Sequence, residues 1–166
     1  MRAVLLLLFA VVSTSCVRVK VDRSTPATAE RRQAEADVLV VVNRLWEAMR
    51  TNDSTMARSV FDSTAQFARI VDRDGARVVR WSRADNFVRA IGSATTPWIE
   101  RMVAPEVRVD GNLASVWTWY DFSTGGKVSH CGYDSIELAK LLTGWKIIYI
   151  SDTQQTTGCD KPPASR

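Results

Sequence analysis

Residues 127–153 read KVSHCGYDSIELAKLLTGWKIIYISDT, and this stretch decides the fold. β-Branched and aromatic residues are frequent on both sides of Thr143-Gly144, a pair typical of a two-residue turn. The pattern predicts two antiparallel strands, over 127–142 and 145–153. A terminal hairpin of this length needs further strands beside it, and the residues before it supply them.

Turn signals upstream of this hairpin divide the chain into four more strands. Asp110-Gly111 separates a strand over 98–109 from one over 112–122, and Pro105 marks a bulge or a sheet edge in the first of them. Asp74-Gly75, a strong two-residue hairpin signal, separates strands over 64–73 and 76–81. The sequence therefore predicts six strands.

Three helices are predicted around these strands. Residues 35–50 carry apolar side chains at spacings of three and four, which indicates a helix with one apolar face: Val38, Val41, Val42, Leu45, Trp46 and Met49. Asp53 or Ser54 can cap a second helix that ends near residue 61. A third follows Ser82, which begins a sequence similar to a capping box, and stops at Gly92.

The N-terminus is typical of an export signal. Met1-Arg2 precedes an apolar run over 3–12 and a small-residue exit, so residues 1–15 are predicted to be a signal peptide. Cys16 stands where a bacterial lipoprotein carries its lipid, and we expect membrane attachment through it; ordinary cleavage to a soluble secreted protein is the alternative. Residues 16–33 are predicted to form a flexible linker, 34–159 one domain and 160–166 a tail.

The basic charge of the chain lies outside the predicted domain. Residues 1–33 carry six basic and two acidic side chains, which accounts for the whole formal charge of +4, so residues 34–166 are neutral overall. A nucleic-acid-binding domain would need a basic patch of its own. We therefore expect no nucleic-acid partner, and interpret the arm as attracted to anionic lipid or as aiding solubility.

The order of elements resembles that of the nuclear transport factor 2-like superfamily, and the C-terminal half resembles its putative lumazine-binding or SnoaL-like branch. The residues that carry this likeness are Ala114-Ser115-Val116-Trp117, Asp121-Phe122, Ser129 to Ser135, Leu138, Gly144 to Ile147, and Asp152-Thr153 to Cys159. The resemblance implies an α+β fold in which a cone-shaped, curved antiparallel sheet wraps on three helices and encloses a pocket. It also implies a homodimer formed through the outer face of the sheet.

The resemblance leaves three functions open. In the isomerase branch a Tyr on the first helix and Asp residues on strands transfer protons, but here the first helix offers Trp46 and no Tyr. We therefore assign no catalytic residue and expect binding of a small apolar or aromatic ligand. The alternatives are an isomerase or lyase that uses His130 or Asp134, and a protein-interaction module whose pocket is filled by side chains.

The final hairpin gives an expected register for the candidate site. With Thr143-Gly144 as the turn, Asp134 would face Thr153 and His130 would face Thr157. His130 and Asp134 would then share the inner face, whereas Asp152 would point outward. Four residues of strand separate them by about 13 Å, too far for a catalytic dyad.

Aromatic residues complete the expected ligand site. The chain has six tryptophans, and packing in the core or at an interface is the alternative role for each of them. We expect Trp46, Trp117 and Tyr149 to contact the ligand together with His130 and Asp134.

Two cysteines remain if Cys16 carries lipid, and export would place them in an oxidising compartment. A disulfide is therefore predicted between Cys131 and Cys159, with Cys131 paired to Thr156 in the expected register. One histidine and no clustered carboxylates predict no metal site, and no motif for a cofactor is present.

Overall fold

The computed structural model describes residues 26–160, with side chains from residue 28 onward. The predicted signal peptide, Cys16 and the tail after Asp160 lie outside the described residues. The elements are α1 (Pro26–Thr51), α2 (Ser54–Val60), β1 (Phe61–Arg73), β2 (Ala76–Arg83), α3 (Ala84–Ser93), β3 (Trp98–Asp110), β4 (Leu113–Thr124), β5 (Lys127–Leu141) and β6 (Gly144–Thr153). This is the predicted order of elements. Among the described residues, no helix is long and apolar enough to cross a membrane.

Helix α1 begins earlier than predicted, because its first two turns lack the apolar stripe on which the prediction depended. Pro26 stands at the first position, where its fixed φ and missing N–H are tolerated. Most residues of the extension are exposed, and Arg31 forms an i,i+4 ion pair with Glu35. Part of the segment predicted as a flexible linker, from residue 26 to 33, is therefore helical.

The helix caps agree with the predictions in one case and differ in the other. Asp53 is the N-cap of α2 and accepts a hydrogen bond from the amide of Met56 at 2.8 Å. At α3 the N-cap is Arg83, with no capping side chain, so Ser82 does not form the predicted capping box. Gly92 lies inside α3 against Ser54 of α2 and does not end the helix.

The sheet has the strand order β2-β1-β6-β5-β4-β3. Its pairings are antiparallel except one: β1 runs parallel to β6, so the predicted cone is formed by a mixed sheet. Asp74 and Gly75 both have positive φ, as a type I′ hairpin turn requires. Pro105 lies in an irregularity of β3, which is an edge strand, as predicted.

The apolar face of α1 packs on the inner face of the sheet and forms the core. Val38, Val42, Leu45 and Met49 are buried, at the positions predicted from the helical spacing. The sheet contributes alternate residues of its central strands: Val116, Ile136, Leu138, Trp145, Ile147 and Ile150. One face of the sheet thus packs against the helices, and the other faces outward.

The register of the final hairpin differs from the prediction. Leu141 pairs with Gly144 and Lys140 with Trp145, so Leu142 and Thr143 form the turn. A bulge then leaves Ile148 unpaired between Ile147 and Tyr149. Beyond the bulge the alternation of β6 is reversed, so Tyr149 points outward and Asp152 points inward.

Candidate functional site

A cavity of about 370 Å³ lies between the helices and the inner face of the sheet. Helices α1 and α3 supply Trp46, Met49 and Phe87, and the strands supply the rest of its wall. The strand residues that line it are Phe67, Arg69, Trp98, Glu100, Tyr120, Phe122, Thr124, His130, Asp134, Ile150 and Asp152. The cavity therefore has a largely aromatic wall and a small polar end.

The aromatic wall is a continuous chain of ring contacts, here called the aromatic belt: Phe67, Phe87, Trp98, Phe122, His130 and Tyr120. Successive ring centroids lie 5.0, 6.0, 5.8, 4.8 and 5.8 Å apart along that series. The stacked pair of Phe122 and His130 has an interplanar angle of 21°. Such contacts hold the rings in fixed orientations, so the belt gives the cavity a continuous aromatic lining.

The polar end is built on one row of residues across three strands. Arg69 of β1 pairs with Asp152 of β6, and Asp152 pairs in turn with Asp134 of β5. The guanidinium Nε of Arg69 donates to Oδ2 of Asp152 at 2.7 Å. Tyr120 donates to the backbone oxygen of Thr153 at 2.9 Å, with Oδ2 of Asp152 at 3.4 Å. Sheet register thus brings Arg69, Asp152 and Asp134 together, and the Tyr120 hydroxyl reaches them from β4.

Two carboxylate oxygens in this row have no donor. Asp134 and Asp152 are each only 4 % exposed. Among the described residues, no N–H or O–H group donates to Oδ2 of Asp134 or to Oδ1 of Asp152. The carboxyl group of Glu100, a partly exposed residue, forms a hydrogen bond with that of Asp134. Two carboxyl groups can form such a bond only if one of them is protonated. A buried acceptor without a donor is costly, so these atoms need an explanation.

Burial and like charge alter the acid–base behaviour of this group. Burial, followed by the nearby Asp152 charge, raises the pKa of Asp134 to about 8. Burial and the Asp134 carboxyl also raise the pKa of Glu100 well above its usual range. Burial raises the pKa of Asp152, and Arg69 opposes that effect. All three carboxyl groups are thus shifted towards their protonated forms, and Arg69 opposes that shift most directly at Asp152, to which it is hydrogen-bonded.

The remaining polar groups of the cavity are neutral. Burial, together with the charge of Arg69, lowers the pKa of His130 to about 4. Burial and the neighbouring carboxylates raise the pKa of Tyr120 above its usual range. Arg69 is therefore the cation that faces the three carboxyl groups of the cavity.

Three of the five residues predicted to contact a ligand line the cavity, and two do not. Trp46, His130 and Asp134 are in its wall. Trp117 and Tyr149 lie on the outer face instead, where their rings contact Tyr133 and Trp81. Tyr149 is displaced by the bulge at Ile148, and Trp117 follows the alternation of β4, whose inward residue is Tyr120.

The partner predicted for Asp134 is also wrong. Asp134 pairs with Asp152 and not with Thr153, because the bulge and the shifted turn change the register. His130 pairs with Phe122 of β4, and Cys131 bridges to Gln155, so the expected pairings with Thr157 and Thr156 are absent.

The cavity also contains polar residues that were not predicted from the sequence. Arg69 follows Phe67 by two positions in β1, and Glu100 lies between Trp98 and Met102 in the alternation of β3. Both could have been predicted, because each is a charged residue among apolar residues that alternate towards the inner face of the sheet. Asp152 could not be predicted in this way. The bulge that turns it inward lies among consecutive apolar residues, which do not show where the alternation changes.

The predicted disulfide between Cys131 and Cys159 is confirmed, with Cα atoms 5.5 Å apart. Cys131 lies next to His130 at the end of the cavity strand β5. The bridge therefore ties the segment after β6 to the strand that carries both His130 and Asp134. Within residues 26–160, no group of three or more His, Cys, Asp or Glu side chains is arranged to hold a metal ion.

Comparison with known proteins supports the fold and not a particular activity. No family model matches the chain. No curated protein matches it. Solved structures do match. A nuclear transport factor 2-like superfamily protein from Salmonella enterica serovar Typhimurium aligns with a TM-score of 0.59 and 21% identity, over 79% of this chain and 98% of that one.

Two further structures of unknown function align comparably. A nuclear transport factor 2-like protein from Pseudomonas putida KT2440 has a TM-score of 0.60 and 15% identity, over 79% of this chain and 98% of that one. A Mycobacterium tuberculosis protein has a TM-score of 0.63 and 14% identity, over 79% and 76%. The chain has the nuclear transport factor 2-like fold, and its place in the lumazine-binding or SnoaL-like branch stays a prediction.

Proposed function

We propose that this chain, whose fold is that of the nuclear transport factor 2-like proteins, binds a small, largely aromatic molecule in its cavity. The observation that carries the proposal is the aromatic belt around a space of about 370 Å³. Ligand sites in proteins have this size and this mixture of apolar wall and few polar groups. A module that used the fold only as a scaffold would instead fill the space with side chains.

Occlusion of the cavity tests this proposal. Thr124 lines the cavity at the end of β4, whereas its neighbour Ser123 points to the other face of the sheet. Thr124→Trp should weaken binding of naphthalen-2-ylmethanol, measured by isothermal titration calorimetry, by about tenfold or more. Ser123→Trp adds the same ring outside the cavity and should leave the affinity unchanged. Equal loss in both variants would contradict the proposal.

Proton transfer is the second candidate function, and one observation favours it. The pKa of Asp134 is raised to about 8, which suits a group that exchanges protons near neutral pH. An isomerase or lyase would use Asp134, with Tyr120 near the reacting oxygen, and His130 would position the ligand by stacking. If so, the protein should accelerate exchange of the acidic C–H protons of 2-tetralone in D₂O, followed by NMR. Asp134→Asn should abolish that acceleration.

We also propose that the domain acts outside the cytoplasm, anchored through lipid on Cys16. The disulfide supports export, since such bonds persist in oxidising compartments. Fractionation of the native source, followed by intact-mass analysis, would test the anchor. The expected result is membrane-bound protein that begins at a lipidated Cys16. Unlipidated protein in the soluble fraction would favour ordinary secretion.

A further inference from the structure

The polar end of the cavity contains three carboxyl groups and one guanidinium, and the cavity lining also includes the indole N–H of Trp46, which is buried without an acceptor. The titratable or charged groups that face it are Arg69 from β1, Glu100 from β3, Tyr120 from β4, His130 and Asp134 from β5, and Asp152 from β6. The wall residues that α1 and α3 contribute to the cavity, Trp46, Met49 and Phe87, carry no charge. Three carboxyl groups thus face one guanidinium. An anionic ligand would oppose the ionisation of these carboxyl groups, whereas a cationic ligand would favour it.

The two oxygens without donors indicate where a ligand group would bind. Oδ2 of Asp134 and Oδ1 of Asp152 are buried, and they belong to residues directly opposite each other in an antiparallel pair. The Cβ atoms of such a pair are about 4.5–5.5 Å apart. One nitrogen that carries several protons can donate to both carboxylates across that gap. A ligand group that only accepts hydrogen bonds would leave both oxygens unsatisfied.

The aromatic belt suits the same kind of group. Cations are attracted to the faces of aromatic rings, and the attraction increases where water is excluded. The nearby rings of Phe122 and Tyr120 both contact His130, which adjoins this end of the cavity. A positively charged nitrogen therefore meets carboxylates and aromatic rings together, and the apolar body of the ligand can stack along the rest of the belt.

We infer that the ligand of this cavity is an alkylamine that bears an aromatic group, bound as its ammonium ion, with the nitrogen between the carboxylates of Asp134 and Asp152. This inference rests on the proposed binding function and adds the chemical class of the ligand. A primary or secondary ammonium fits best, because it donates to both oxygens. A quaternary ammonium has the charge but no proton to donate.

Binding of the ammonium ion should release a proton. Burial and like charge favour the protonated forms of Glu100 and Asp134 in the empty cavity, whereas a cation between the carboxylates favours the ionised forms. The affinity for the amine should therefore rise between pH 6 and pH 8.5. Calorimetry in two buffers of different ionisation enthalpy would detect the released proton.

The test uses three probes with the same aromatic body: 2-naphthylmethylammonium, the neutral naphthalen-2-ylmethanol, and 2-naphthoate. Calorimetry on the wild-type protein at pH 8 should give an affinity for the amine about tenfold or more above that for the alcohol. The carboxylate should bind most weakly. Asp134→Asn and Asp152→Asn should each bring the amine to within about threefold of the alcohol.

Asp121→Asn is the matched control. Asp121 is a buried carboxylate on the same sheet, but it lies outside the cavity and is paired with Arg101. This variant should keep the preference for the amine even if its stability falls, and thermal melts of all three variants establish that they fold. Equal binding of amine and alcohol by the wild-type protein would overturn the inference and leave the proposed function standing. Failure of all three probes to bind at millimolar concentration would overturn both.

Discussion

Asp134 and Asp152 are directly opposite each other across the β5–β6 pair, and both side chains are buried. Carboxylates in this arrangement repel each other and have lost their hydration, and only Asp152 has a cation, Arg69, bonded to it. The pair therefore lowers the stability of the folded protein when both members are ionised. The proposed binding function would account for a pair that costs stability.

Asp134→Asn should stabilise the protein at high pH. The pKa of Asp134 is about 8 in the folded protein and 3.8 ordinarily, so the folded state binds more protons than the unfolded state between pH 4 and 8. Stability from this group is therefore lost as the pH rises through that window. Asparagine does not ionise, so the melting temperature at pH 8 should exceed that of the wild type by about 3 °C or more. The difference should vanish near pH 4; a lower melting temperature at pH 8 would contradict this account.

His130→Ala should destabilise the protein through loss of ring contacts. The imidazole stacks on Phe122 at 4.8 Å and meets Tyr120 edge-on at 5.8 Å. Aromatic pairs of this kind contribute about 1 kcal/mol beyond their buried area. Chemical denaturation would measure the loss, and His130→Phe, which keeps a ring, should recover most of it.

The same pair of variants separates packing from charge. The pKa of His130 is lowered to about 4 from 6.5, so the unfolded state binds more protons than the folded state between those values. Its contribution to stability is lost as the pH falls through that window. The stability of His130→Phe relative to the wild type should rise as the pH falls from 6.5 to 4. A pH-independent difference would mean that the imidazole is not held neutral.

Removal of the disulfide should cost the protein a large part of its stability. The bridge joins residues 28 apart in sequence. Closing a loop of that length stabilises a fold by roughly 3–4 kcal/mol. Cys131→Ser with Cys159→Ser should lose about this amount in chemical denaturation. Free thiols at both positions in protein isolated from its native source without reductant would show that the bridge does not form in the cell.

Gly132→Ala should be more disruptive than an ordinary glycine substitution. A Cβ at Gly132 would lie 2.0 Å from the backbone oxygen of Thr153, the atom to which Tyr120 donates. Because backbone has to move, the expected loss is about 2 kcal/mol or more. Gly92→Ala is the control: its Cβ would meet a side chain, that of Ser54, at 2.9 Å. Similar losses in the two variants would show that Thr153 gives way without cost.

The outer face of the sheet is predicted to form a homodimer contact. Trp117 is 49% exposed and stacks on Tyr133 at 5.1 Å, and the exposed Trp81 lies beside Tyr149 on the same face. Exposed aromatic residues of this kind are typical of interfaces. Trp117→Glu should convert a dimer into a monomer in sedimentation equilibrium. Leu142→Glu removes an exposed apolar side chain at a turn and should not; a monomeric wild type would refute the prediction.

The element order could be predicted because its signals are local. Paired turn residues such as Asp74-Gly75 fix hairpins by their own backbone preferences, and the spacing of Val38, Val42 and Leu45 indicates a buried helical face without knowledge of what covers it. The parallel pairing of β1 with β6 could not be read in the same way. No turn joins those two strands, so no short stretch of sequence indicates that they are neighbours in the sheet.

The site residues were predicted correctly only where side chains alternate regularly between the two faces of the sheet. His130 and Asp134 were placed on the inner face because β5 alternates regularly between them. The bulge at Ile148 changes which side chains of β6 point inward, so Asp152 lies in the cavity and Tyr149 does not. Residues 147–150 are apolar throughout, so no polar residue in that run shows where the alternation breaks. The inward position of Asp152, one member of the carboxylate pair, could therefore not be predicted from the sequence.

The position of β6 determines when the cavity can form during folding. This strand is the last one within residues 26–160, yet it lies in the middle of the sheet, between β1 and β5. Arg69 must find Asp152 across 83 residues, and contacts between such distant residues form slowly. A chain that still lacks residues 144–153 has neither Ile150 nor Asp152 in the cavity and leaves β1 and β5 with unpaired edges. A ligand of the proposed kind would therefore bind only after β6 has joined the sheet, and its binding would favour that closure over the open intermediates.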